Sequence, residues 1–219
     1  MITSEIKIEY SVILLFLMML LPGSHAISQD KEWTHEISED EKTSVQSRVY
    51  YDKDENGEER KIIEYSARTV ASVSLQNCEA VMKDASLHKV FFNNTEVSDK
   101  ISDLSENDFL IYYFYDAPWP LPNSDCVSRI RIMTDSIEKK VTVSSTAEPN
   151  SFEDKDVARA KLNNFTFIFR ELNNEDVEIT LNSTFSPVIL APKWMIHAWF
   201  PEGPHKILEL IINLADTIK

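Results

Sequence analysis

Few residues in this chain have the type and spacing to do chemistry. His35, His88, His197 and His205 are the histidines beyond the N-terminal segment, and none has an i+4 partner or the Cys or Asp spacing of a metal site. The run Asp52-Lys-Asp-Glu-Asn-Gly57 opens like a calcium loop, but its twelfth position, where a bidentate glutamate belongs, is Ile63, and Glu64 comes one residue late. Asn56-Gly57 reads instead as a hairpin turn in which both residues take positive φ. Three glycines in the whole chain leave no glycine-rich phosphate cradle. Tyr65, Tyr112 and His197 are the only polar side chains that could gather for acid–base work. His197, between Trp194 and Trp199, reads more simply as a residue packed at a rim. Cys78 and Cys126 both fall in segments that read as structured and partly buried. Two free thiols are the plainer reading, and a Cys78–Cys126 disulfide stays open because sequence does not supply bridging geometry. No cofactor and no metal is expected.

Charge and the N-terminus narrow the partners. The chain has 219 residues and a net charge of −14. Residues 11–21 are an apolar run, Pro22-Gly23 breaks it, and Ser24-His25-Ala26 sets small residues at the −3 and −1 positions of a signal-peptidase site. The run is shorter than the about 20 residues needed to span a bilayer. The expectation is a signal peptide over residues 1–26 and an exported domain over residues 27–219, periplasmic or secreted, although Glu5, Lys7 and Glu9 give no positive n-region. The acidic balance argues against nucleic acid, where basic side chains supply the affinity, and against electrostatic docking on anionic membranes. Asn93, Asn164 and Asn182 begin N-x-Thr triplets that match the glycosylation pattern.

The positions that could carry function sit on one-sided strands. Residues 44–51 and 61–74 alternate as a long hairpin, with Ile63, Tyr65, Ala67 and Thr69 on one face and Glu64, Ser66 and Arg68 on the other. Residues 75–92 read as two short helices broken near Asp84. Residues 95–101, 107–115, 126–134, 139–146, 164–171 and 176–186 read as further strands, and residues 148–161 as a polar connection. Trp33 and Ile37, four apart, suggest a short helix within residues 30–43. From residue 205 to 218, Ile207, Leu208, Leu210, Ile211 and Leu214 form the stripe of a long terminal helix, interrupted upstream at Pro201–Pro204. About eight strands with one greasy face must curl to bury it. With one long apolar helix available, the expected fold is α+β: a curved antiparallel sheet wrapped around the C-terminal helix, with the two short helices between the second and third strands of the curved sheet. Such a grip leaves room for a cavity of about 300–1,000 Å³.

Trp33, the corner Pro118-Trp-Pro-Leu-Pro-Asn-Ser-Asp125, Ala191-Pro-Lys-Trp-Met-Ile-His197 and Glu202-Gly-Pro204 follow one another along the chain. Their order and spacing resemble the START lipid-transfer domain of the Bet v 1-like, or helix-grip, superfamily, in the manner of its exported bacterial members. The corner departs from the family pattern, with Ser124 where an arginine is usual and Asp125 retained. The positions matching a buried acid–arginine pair of some animal members are Phe114 and Ile130. The resemblance implies an apolar pocket that binds, and in some settings transfers, one lipid, sterol or similar molecule. The expected lining is Tyr65, Leu110, Tyr112, Phe114, Ser128, Ile130, Phe165, Phe167, Ile179, Leu181, Trp194 and Ile211. Any polar head would meet Tyr65, Tyr112, Ser128 or Ser183. The resemblance also implies a movable hairpin at residues 135–139, a movable C-terminal helix, transient membrane contact and a monomer. A cyclase or hydrolase of the same superfamily, and a ligand-free interaction module, are the competing readings.

Overall fold

A computed structural model of the chain describes residues 32–117, 121–173, 175–188 and 193–218. The expected signal peptide, the Pro118-Trp119-Pro120 half of the corner and Ala191-Pro192 lie outside the described residues. The elements run β1 (Thr34–Ile37), β2 (Ser44–Lys53), β3 (Glu59–Ala71), α1 (Leu75–Lys83), a 3₁₀ turn (Ala85–Leu87), α2 (His88–Phe91) and β4 (Thr95–Ser105). They continue with β5 (Asp108–Tyr115), β6 (Ser124–Asp135), β7 (Lys140–Ala147), β8 (Ala158–Arg159), β9 (Asn163–Glu171), β10 (Val177–Phe185), α3 (Lys193–Trp199) and α4 (Glu202–Thr217). One sheet runs in the order β1-β2-β3-β10-β9-β7-β6-β5-β4, with β8 paired to β6. Apart from that short parallel pair, every pairing is antiparallel. The sheet curves around α4, which buries Ile207, Leu208, Ile211 and Ala215 against it. This is the helix-grip arrangement the residue patterns predict.

Local rules account for most of these elements. Ser74 caps α1 by accepting the Asn77 N–H. The carboxylate of Asp84 accepts from the N–H and hydroxyl of Ser86 at 3.0 and 2.6 Å, which ends α1 and starts the 3₁₀ turn. The side-chain amide of Asn77 donates to the carbonyls of Ala215 and Ile218, both at 2.9 Å. It thereby satisfies acceptors that the end of α4 leaves open and ties α1 to it. In the β2–β3 turn only Gly57 takes positive φ, at 81°, and Asn56 does not. The turn is closed by Asp54, whose carboxylate accepts the N–H groups of Asn56 and Glu58, both at 2.9 Å.

Two further expectations are corrected. The segment around Trp33 and Ile37 forms the edge strand β1, not a helix. Residues four apart share a face in a helix and in a strand alike, so the spacing could not decide. The open edge of β2 decides: Thr34 Oγ1 donates to the Ser47 carbonyl at 3.0 Å and meets the Ser47 hydroxyl at 2.8 Å. Trp33 lies over the Arg48 guanidinium at 4.6 Å.

The second correction concerns β5. Phe109, Ile111 and Tyr113 face the core, so Leu110, Tyr112 and Phe114 face the other way. That outer face is itself covered. Residues 148–160 fold across it, with the Phe152 ring 5.2 Å from that of Tyr112. They are fastened by Arg159, which makes a two-point pair with the fully buried Asp125 at 2.9 and 2.7 Å. Arg159 also donates to the carbonyls of Pro149, Phe152 and Glu153 at 3.1, 2.9 and 2.7 Å. All five guanidinium N–H directions are thus used, the condition under which a buried ion pair is tolerated.

Candidate ligand-binding site

The grip is solid along most of its length. Phe91, Phe167 and Phe169 lie one behind another, with ring centroids 6.3 and 6.0 Å apart, and together with Met82, Ile130, Ile179, Leu181 and Ile211 they are fully buried. Beyond that plug, at the end of the sheet where β5 stops and β6 and β9 begin, there is a cavity of about 460 Å³. Its walls are Ile63 and Tyr65 of β3, Tyr115 of β5, Asn163 and Phe165 of β9, and Ser183 and Phe185 of β10. Phe92 to Asn94 after α2, and Ala160 and Leu162 before β9, close one flank. Met195, Ile196 and Trp199 of α3 and Ile207 of α4 close the other.

Aromatic rings set its shape. Tyr65 stands edge-on to Trp199, Phe200 and Phe185, at 5.4, 5.7 and 6.4 Å. Phe92 leans on Phe165 at 5.1 Å. Trp199 can lie where it does because residue 203 is glycine: a Cβ at Gly203 would sit inside its indole ring.

The polar groups of the cavity are neutral. No described lining residue carries a charge. The Asn163 side-chain amide donates to the Tyr115 hydroxyl at 3.1 Å. Ser183 lies beside the Tyr65 hydroxyl and donates to the Asn164 carbonyl at 3.4 Å. Burial pushes the phenols of Tyr65 and Tyr115 well above the ordinary tyrosine range, so both remain protonated.

Of the twelve positions expected to line a pocket, Tyr65 and Phe165 do. Ile130, Phe167, Ile179, Leu181 and Ile211 belong to the solid core. Ser128 is buried next to the Cys126 thiol at 3.4 Å. Leu110, Tyr112 and Phe114 are on the far side of β5, so Phe114 and Ile130 occupy opposite faces of the sheet and do not form a pair. Trp194 is 69% exposed. Tyr115, Asn163, Phe185 and Trp199 line it as well, and of these Phe185 is legible in the sequence, because it shares parity with Ile179 and Leu181 on a strand with one wet face.

Other sequence candidates do not assemble. Tyr65 lines the cavity, Tyr112 is on the outer face and His197 is exposed on α3, so the three cannot act on one substrate. Cys78 and Cys126 are free, buried thiols. Among the described residues no three His, Cys, Asp or Glu side chains are grouped to hold a metal ion. The hairpin at residues 135–139, expected to gate the pocket, borders a separate polar cleft of about 400 Å³ with Ser74, Glu79 and Glu171. His88 is fully buried between the Tyr113 hydroxyl at 2.7 Å and the Met82 carbonyl at 3.0 Å. The carbonyl requires Nε2–H as donor, so Nδ1 accepts from Tyr113.

No family profile and no curated protein matches the chain by sequence. Solved structures do match by shape. The STAR-related lipid transfer protein of Xanthomonas axonopodis (fragment 25–204) superposes with a TM-score of 0.68 at 16% identity, over 84% of this chain and 99% of that one. Human STARD10 gives 0.66 at 18% identity, over 84% of this chain and 72% of that one. Human StAR-related lipid transfer protein 5 gives 0.64 at 12% identity, over 95% of both chains. With the cavity, the gripped helix and these likenesses together, the chain has the fold of a START domain.

Proposed function

We propose that the protein binds one hydrophobic molecule in this cavity and carries or sequesters it without transforming it. The observation that supports this is the cavity itself: about 460 Å³, walled by aromatic and aliphatic side chains, with no charge among the described lining residues. That volume lies within the usual small-molecule range of about 300–1,000 Å³. Moving one methylene from water into such a wall gains about 0.8 kcal/mol, so a medium-length acyl chain gains on the order of 10 kcal/mol before ordering costs. No charged clamp is needed for that.

Delivery fits the exposed face of α3. Trp194 is 69% exposed, next in sequence to Met195, which lines the cavity and is itself 37% exposed. An indole beside a cavity wall suits a brief contact with a neutral membrane surface, and an acidic chain would leave an anionic one quickly. Export with removal of residues 1–26 belongs to the same proposal, since it would place the carrier outside the cytoplasm.

Native mass spectrometry of protein purified from its own host tests the reading. A co-purified hydrophobe, released on denaturation in about equimolar amount, is expected. A protein that carries nothing and takes up no neutral hydrophobic dye would sink it.

A further inference from the structure

The geometry of the cavity's polar end identifies a class of ligand, and this step rests on the reading of the cavity as a binding site. We infer that the bound molecule is a single-chain or compact hydrophobe whose polar end is an uncharged hydrogen-bond acceptor, an ester or ketone oxygen, held by the hydroxyls of Tyr115 and Tyr65.

Three observations carry it. The first is the direction of hydrogen bonding. Tyr115 Oη accepts from the Asn163 amide at 3.1 Å and takes no acceptor for its own O–H among the described residues. The Tyr65 hydroxyl has Ser183 beside it and lies within electrostatic reach of Tyr115. Two phenols therefore enter the cavity with a donor free to meet a ligand. Both stay protonated because burial disfavours their ionised forms.

The second observation is charge. No described lining residue is acidic or basic. A carboxylate, phosphate or ammonium drawn to this depth would have no counter-ion among the described lining residues, and an unpaired charge in an apolar wall is strongly disfavoured. A neutral acceptor meets the two donors without that cost. The ion pair that the region does contain, Asp125 with Arg159, is fully committed on the outer face of the sheet.

The third is size. A cavity of about 460 Å³ lies toward the lower end of the usual small-molecule range of about 300–1,000 Å³. One medium acyl chain with its head, or a small fused-ring ketone, fits.

A matched series tests this by displacement of Nile red from the whole protein at pH 8: methyl dodecanoate, dodecanoate and tetradecane, which differ in head group and hardly in length. The ester is expected to bind about tenfold more tightly than the alkane, the yield of one or two neutral hydrogen bonds, and more tightly than the carboxylate. Tyr115→Phe should bring the ester to within about twofold of the alkane. Tyr65→Phe should do the same in part, and the wild-type series needs neither variant to fold. Equal affinity for all three ligands, or tightest binding of the carboxylate, overturns the inference and leaves the cavity reading standing. Failure of every member and of the dye to bind overturns both.

Discussion

His88 makes the wall of the cavity sensitive to acid, by an amount that can be worked out. Its ring is fully buried, and its neighbours Phe92 and Tyr113 lead directly to Phe165 and Tyr115 of the lining. Desolvation lowers its pKa from 6.5 to about 4, against weaker opposing effects of the Met82 carbonyl and Asp84. In the unfolded chain the imidazole takes up a proton as the pH falls through about 6.5, while in the folded chain it stays neutral until about pH 4. Between those values the unfolded state binds more protons, so stability rises with pH and is lost on acidification. The contribution is complete above about pH 6.5 and gone below about pH 4, at about 1.4 kcal/mol per pH unit, or about 3 kcal/mol in all. About 2 kcal/mol of this should disappear between pH 7 and pH 5. Urea unfolding of the wild type and of His88→Gln at both pH values isolates the effect. The stability of the glutamine variant should change less over this interval, by about 2 kcal/mol. Equal pH slopes in the two proteins would refute the reasoning, as would an NMR titration of His88 in the native state with a midpoint near 6.5.

Other perturbations probe the frame around the cavity. Asp125→Ala leaves Arg159 half-paired in a buried setting and should cost about 3–5 kcal/mol of unfolding free energy, with faster proteolysis within residues 148–160; a loss under about 1 kcal/mol would show that the clamp is not what holds this segment. Gly203→Ala drives a Cβ into the Trp199 indole and should destabilise by about 1–3 kcal/mol, shift the tryptophan fluorescence and weaken Nile red binding; an unchanged spectrum and affinity would mean that the ring does not set the wall. Burial pushes the Cys78 thiol up to about 12, and raises Cys126 as well, so neither should react with a thiol reagent at pH 8 until denaturant is added; rapid labelling of either one in the native protein contradicts their placement.

Local periodicity alone determined the strands with one wet face. In β10, Val177, Ile179 and Leu181 alternate with Glu178, Thr180 and Asn182, and the buried and outer sets follow that alternation. The stripe of α4 and the break at Asp84 were legible for the same reason, since a helix face and a capping side chain are written in neighbouring residues. Where a segment is apolar on both sides the code fails. The run Phe109-Leu-Ile-Tyr-Tyr-Phe-Tyr115 does not reveal its parity, because residues 148–160 bury its outer face, and they do so through an Arg159–Asp125 pair 34 positions apart. Nor could any periodicity separate the plug from the cavity. Phe165 and Phe167 stand on the same face of the same strand, yet one lines a hollow and the other fills a core. Alternation specifies only which way a side chain faces. Whether the space it faces is full depends on the summed volumes of side chains brought together from every strand and from α3 and α4, and only the tertiary structure sets that sum.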